Sequence, residues 1–200
     1  MRLRDLTGRV ALVTGSTDGV GRVVALSLGE AGGRVLVHGR DAERGIRVVA
    51  DIEAAGGAAT FLRADLASLA EVRRLAAAVK EETGRLDMLI NNAGIGTAGG
   101  VRQESADGFE LRFAVNYLGG FLLTRLLLPL LEASAPARIV NVSSGGQQAI
   151  DFADVMLTAT TAAHARTARA SSRRSCSRSI SPTNSPAPAS RRPVCTRQPT

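Results

Sequence analysis

Cysteine is nearly missing from this chain, and its two copies, Cys176 and Cys195, both lie beyond residue 157. The first 157 residues therefore have no cysteine chemistry, neither a disulfide framework nor a thiolate site. Long hydrophobic runs are lacking too. The N-terminal MRLRDLTGRV has no apolar stretch long enough for a secretory signal. The oiliest segment, FLLTRLLLPLL (121–131), is shorter than a membrane span and carries Arg125 and Pro129. The expectation is a cytoplasmic protein with no membrane span. Acidic residues are absent from 158–200, which carry eight arginines, whereas 1–157 hold all 18 Asp and Glu against 17 Lys and Arg. The net charge of +7 thus belongs to the tail alone. That tail has no aromatic side chain on which a base could stack, which argues against nucleic acid as a partner despite its positive field.

What is present is an alternation. RVALVTG (9–15), GRVLVHG (33–39), ATFLRADL (59–66), LDMLINNAG (86–94) and ARIVNVSS (137–144) read as short buried strands. Between them, helical patterns cover Gly19–Gly32, 41–55, 68–84 (closed by a glycine cap) and 104–134. Strands alternating with helices at this spacing imply right-handed crossovers and a parallel sheet. The expected fold is α/β, a Rossmann-type doubly wound parallel sheet with helices on both faces, ending after the fifth strand. Residues 1–157 form one dinucleotide-binding domain in this reading. Residues 158–200, rich in Ser, Arg and Pro, have the composition of a disordered tail.

TGSTDGVG (14–21) is a glycine-rich turn joining the first strand to the first helix. Gly15 permits a tight exit from the strand, and Gly19 and Gly21 let backbone approach a pyrophosphate at the helix N-terminus. A site preferring NAD places a carboxylate at the end of the second strand. Here His38 and Gly39 stand there and Arg40 follows. A cation suits a 2′-phosphate, so NADP(H) is favoured over NAD(H). The alternative is a solvated Arg40 paired with Asp41.

TGSTDGVG, ADL (64–66), NNAG (91–94), VNYLGG (115–120) and RIVNVSS (138–144), in this order, resemble the short-chain dehydrogenase/reductase family, and the retinol-dehydrogenase-like branch within it. The resemblance covers residues 9–145. It implies a cofactor cleft bounded by Thr14, Gly15, Gly19, Val20, Gly21, Arg40, Asp65, Leu66, Asn92, Ala93 and Gly94, with Asp65 against the adenine. Asp65 serves equally well as a cap for the helix beginning near Ser68. Asn116 would be the helix asparagine of a catalytic tetrad and Ser144 its serine, with Ser143 as the fallback. The implied reaction moves a hydride between the nicotinamide and a carbonyl or alcohol carbon, here of a lipophilic small molecule. Intact members of the family form homo-oligomers. No metal site is implied.

The tetrad's other half is missing. The family's tyrosine manages the proton, and a lysine four residues later holds the ribose and lowers the tyrosine's pKa. This chain has one tyrosine, Tyr117, and one lysine, Lys80, and neither stands in that spacing. TAAHARTARASSRRSCSR (161–178) occupies the expected place. A one-base slip of the reading frame near Leu157–Thr161 accounts for this. The junction of Arg166 and Thr167 then allows a tyrosine codon, and that of Ala170 and Ser171 a lysine codon. The same offset yields an amphipathic helix, and L-H-P-A across Val194–Gln198. The competing reading is a real basic tail on a non-catalytic dinucleotide-binding or regulatory protein.

Overall fold

The computed structural model describes residues 5–96, 102–144, 152–156 and 158. Five strands form one parallel sheet in the order β3-β2-β1-β4-β5: β1 (Val10–Val13), β2 (Arg34–Gly39), β3 (Ala58–Arg63), β4 (Met88–Asn91) and β5 (Arg138–Asn141). Between them run α1 (Gly19–Glu30), α2 (Ala42–Ala54) and α3 (Leu69–Glu82). Before β5 come α4 (Leu111–Phe113), a π-helical turn (Ala114–Gly119) and α5 (Gly120–Ala133), run together as one helix.

Helix starts follow side-chain chemistry. Asp18, Asp41 and Ser68 cap α1, α2 and α3, accepting from the backbone N–H groups of Gly19 (2.7 Å), Arg44 (3.0 Å) and Glu71 (3.3 Å). Each bond satisfies a donor that the helix itself leaves orphaned. Strand residues alternate between two cores. Leu12, Leu36 and Leu89 face α3 and α5 beside Val72, Leu75, Leu123 and Leu127. Ala11, Val13, Val35, Val37 and Ile90 face α1 and α2 beside Leu28, Val48 and Ile52. The sheet is covered on both faces, as expected.

The expected helix over 104–134 begins later, at Leu111. Glu110, fully buried, caps it by accepting from the Phe113 N–H at 2.7 Å. Ahead of it, Glu104 bridges Glu110 and Gly108 turns the chain with φ +77°. The glycine cap expected on 68–84 is replaced by Thr83, which is extended at φ −151° and exchanges hydrogen bonds with the Arg85 backbone.

Length does not exclude a membrane span as the sequence implied, because the continuous helix Leu111–Ala133 has 23 residues and holds an 18-residue stretch of mean hydropathy 1.5. Leu123, Leu127 and Leu131 are fully buried in the core, and Pro129 sits on the exposed side. The tail beyond Thr158, including the Arg166–Ser171 stretch and both cysteines, lies outside the described residues.

Candidate active site

Strand order runs outward from β1 to β3 on one side and from β4 to β5 on the other. The crossovers after β1 and β4 therefore leave in opposite directions and open a crevice at the carboxyl ends of those strands, where open α/β sheets bind ligands. A cleft of about 510 Å³ lies there. It is lined by Gly15, Gly19, Val20, Gly21, Arg40, Asp65, Leu66, Asn92, Ala93 and Gly94, all expected from sequence. Thr17, Asp18, His38, Gly39, Ala64, Ile95 and Val115 complete the lining.

The glycines divide the work differently from the sequence reading. Gly15 has φ +63°, and a Cβ there would sit 2.7 Å from the Ala93 Cα, so turn and wall touch through backbone. A Cβ on Gly21 would fall onto the Gly15 carbonyl and the Asn92 amide nitrogen. Gly21 thus also allows close packing of α1 against the turn while lining the cleft. Gly19 is the position with open space before it, at the N-terminus of α1 where backbone donors and the helix dipole favour an anion. The Asp18 carboxylate at that end is matched by Arg44 at 2.8 Å.

Thr14 is almost fully buried and does not line the cleft. Its hydroxyl oxygen accepts from the N–H groups of Asn92 and Ala93, both at 3.0 Å, and ties β1 to the wall. Asn92 returns the contact, donating from Nδ2 to the carbonyls of Thr14 (2.9 Å) and Gly15 (3.1 Å).

Arg40 stands on the rim, 66% exposed, with Nη1 3.5 Å from Asp65. Its partner is therefore Asp65, not Asp41, which caps α2 and faces Arg44 at 3.4 Å. Asp65 does not cap α3, a role Ser68 takes. It closes its own turn by accepting from the Ala67 N–H at 2.9 Å, while Glu71 accepts from the Asp65 N–H at 2.7 Å.

Asn116 lies in the π-helical turn, 6% exposed. Its Oδ1 accepts from the Ile95 N–H (2.7 Å) and its Nδ2 donates to the Ile95 carbonyl (3.0 Å). The side chain pins the cleft wall rather than lining the cleft. Ser143 and Ser144 follow β5, exposed at the same carboxyl end of the sheet, and neither lines the cleft. Tyr117 stacks between Phe113 and Phe121, with centroids at 5.4 and 5.9 Å. Lys80 is exposed in the last turn of α3, near the amino-terminal ends of the strands, where Glu82 pairs with Arg34 at the start of β2. Neither belongs to the crevice.

Sequence reasoning missed His38 as part of the lining. The imidazole is 1% exposed, and its Nδ1 accepts from the Gly15 N–H at 3.2 Å. Burial pushes its pKa down to about 4, offset in part by the Ala64 backbone and the Asp65 charge. The ring is therefore neutral at pH 7.

The sequence profile of the short chain dehydrogenases matches residues 9–179. The chain belongs to the short chain dehydrogenase family. Members of this family bind a nicotinamide dinucleotide, and the residues here fit one: a cleft within the usual ligand range, a glycine turn open at a helix N-terminus, and a cation beyond β2. The chain is 44% identical over 154 residues to human "Retinol dehydrogenase 13", covering 75% of this chain and 46% of that protein. It is 45% identical over 148 residues to bovine (Bos taurus) "Dehydrogenase/reductase SDR family member 13", covering 73% and 38%. It thus spans less than half the length of these relatives. Among solved structures, the "Pseudomonas aeruginosa RhlG/NADP active-site complex" superposes with a TM-score of 0.64 at 39% identity, covering 76% of this chain and 61% of that one.

Proposed function

We propose that this short chain dehydrogenase is by lineage an NADP(H)-dependent oxidoreductase acting on the carbonyl or alcohol carbon of a lipophilic small molecule. One observation carries the reading: the glycine turn, Arg40, Asp65 and the Asn92–Ile95 wall converge on a single crevice at the point where the sheet reverses. The dinucleotide supplies the hydride chemistry. Gly15 and Gly19 present backbone to its pyrophosphate, with the N-terminus of α1 favouring the negative charge. Arg40 takes the 2′-phosphate in place of Asp65, a charge-assisted contact. Asn116 fixes the wall through Ile95, and Ser144, with Ser143 beside it, orients the substrate oxygen. The lipophilic substrate rests on the kinship with retinol dehydrogenases and on the apolar wall contributed by Ile95, Leu66 and Val115.

The proton-managing tyrosine and its lysine are absent from this sequence, and the shifted frame after about Leu157 is the proposed cause. The 200-residue chain is then a dinucleotide binder without turnover. Two experiments test this. Titrating the chain with NADP+ and NAD+ is expected to show tighter NADP+ binding, and Arg40→Glu is expected to weaken NADP+ by about 10- to 100-fold while sparing NAD+. Equal affinity for both, unchanged in the variant, would sink the NADP assignment. Resequencing the gene across the Asp154–Ala170 codons is expected to reveal the misplaced base. Carbonyl reduction by the 200-residue chain itself, abolished by Ser144→Ala, would overturn the inactive reading.

A further inference from the structure

β5 carries backbone groups that the sheet does not use. The Arg138 N–H donates to the Asp87 carbonyl at 2.8 Å and the Val142 N–H to the Asn91 carbonyl at 3.0 Å. Residues 138, 140 and 142 therefore turn their backbone groups towards β4, and those of Ile139 and Asn141 point the other way. Among the described residues, β5 pairs with β4 alone.

The opposite edge of the sheet, β3, is held from both faces. Phe61 fills the space beside Gly45 of α2, and Thr60 Oγ1 donates to Glu82 of α3 at 3.0 Å. On β5 the two faces differ. Ile139 packs against the core that α5 covers, and Asn141 accepts from Asn91 Nδ2 at 2.8 Å. On the other face Val140 is 46% exposed. An open edge beside an exposed β-branched side chain is a template for a further strand.

The occupant that fits this edge is a second copy of the chain. Residues 159–200 supply two large aliphatic side chains, Ile180 and Val194, against eight arginines, too little apolar surface to cover the strip. β5 itself is self-complementary when run antiparallel. With Val140 on a twofold axis, Ile139 faces Asn141 of the second copy, and their free backbone groups exchange hydrogen bonds. The two Val140 side chains then meet directly. The two Arg138 side chains fall at opposite ends of the contact, so like charges stay apart. Twofold pairing uses the open edge of both copies, so association through this strand closes at two.

We propose that the chain self-associates through β5, antiparallel and centred on Val140, so that one sheet runs through both copies. Main-chain hydrogen bonds supply the affinity and the Val140 contact sets the register. None of Arg138, Ile139, Val140 and Asn141 lines the cleft, so this surface is independent of the dinucleotide reading.

The test follows the 200-residue chain by sedimentation over a range of concentrations, where a concentration-dependent dimer is expected. Val140→Lys and Val140→Glu each bring like charges together across the axis. Each is expected to raise the dimer Kd by about 100-fold or more. Mixing the two variants is expected to restore the dimer, which a merely damaged strand would not do. With Cys176→Ser and Cys195→Ser in place, Val140→Cys is expected to crosslink on mild oxidation, since facing residues of this kind lie about 4.5 Å apart. Phe121→Cys, comparably exposed on α5, is expected to stay unlinked. An unaltered chain that is monomeric at every concentration would overturn the proposal. So would a dimer that survives both charged variants, charged variants that stay apart when mixed, or a crosslink at 121 with none at 140.

Discussion

Gly21 shows how one missing methyl group holds the site together. The space its Cβ would take is filled by the Gly15 carbonyl and the Asn92 amide, both part of the cleft wall. Neither can move without releasing the other, because Asn92 is itself bonded to the Gly15 carbonyl at 3.1 Å. Gly21→Ala is therefore expected to destabilise the fold by about 1–3 kcal/mol, the range of overpacking in a rigid interior. It is also expected to abolish dinucleotide binding. Urea unfolding and an NADP+ titration check both, and a variant that binds normally would show that α1 can slide away from the turn. The glycine spacing was legible in TGSTDGVG, but the division of labour was not. Sequence spacing shows that the turn is tight, while only the fold shows which glycine meets backbone and which meets open space.

At the scale of elements, the helix before β5 is the informative one. Its leucines at 123, 127 and 131 repeat every fourth residue and form one buried stripe, within a helical region that was legible in the sequence. The π-helical turn ahead of them was not, because it accompanies two contacts from elsewhere in the chain. Asn116 holds both the N–H and the carbonyl of Ile95, and Gly119 comes so close to Leu66 that a Cβ would lie 2.8 Å from its carbonyl oxygen. π-Turns of this kind mark functional sites in helices. Asn116→Ala is expected to cost about 1–3 kcal/mol, since the Ile95 N–H loses its acceptor. Amide exchange should accelerate at Ile95 and stay unchanged at Val79 in the core of α3. Unaltered exchange at Ile95 would mean the wall is held by other contacts.

For the molecule as a whole, two buried ionisable groups at opposite ends of the sheet set its response to acid. Asp87, ahead of β4, is buried, which by itself raises its pKa. Hydrogen bonds from Arg85, the Val10 N–H and Arg9 outweigh that and hold it below the usual 3.8. A depressed carboxylate stabilises the fold above its unfolded pKa, and that stability is lost as pH falls through the folded value. His38 acts in a higher window. Its folded pKa of about 4 lies below the ordinary 6.5, so the unfolded chain binds the proton first and stability declines as pH drops from about 6.5 towards 4. Acid unfolding is expected to show both slopes. His38→Asn should flatten the upper one, and Asp87→Asn should flatten the lower one while lowering stability at pH 7. An upper slope that persists in His38→Asn would place that proton uptake elsewhere.

The sequence by itself determined the layered parallel sheet and the glycine turn after β1, and its family resemblance pointed to many of the residues around the crevice. The sheet follows from apolar periodicity and the turn from its glycines, local properties that need no partner to be recognised, whereas Asp65 and the Asn92–Gly94 wall were implied by the family resemblance. Only the tertiary structure decided that Thr14 and Asn116 work from behind the wall, that Arg40 pairs with Asp65 rather than Asp41, and that His38 lies beside the cleft with Nδ1 committed to the Gly15 N–H. Each of those depends on a contact across more than twenty residues of chain, where distance and burial, not residue type, determine what a side chain does.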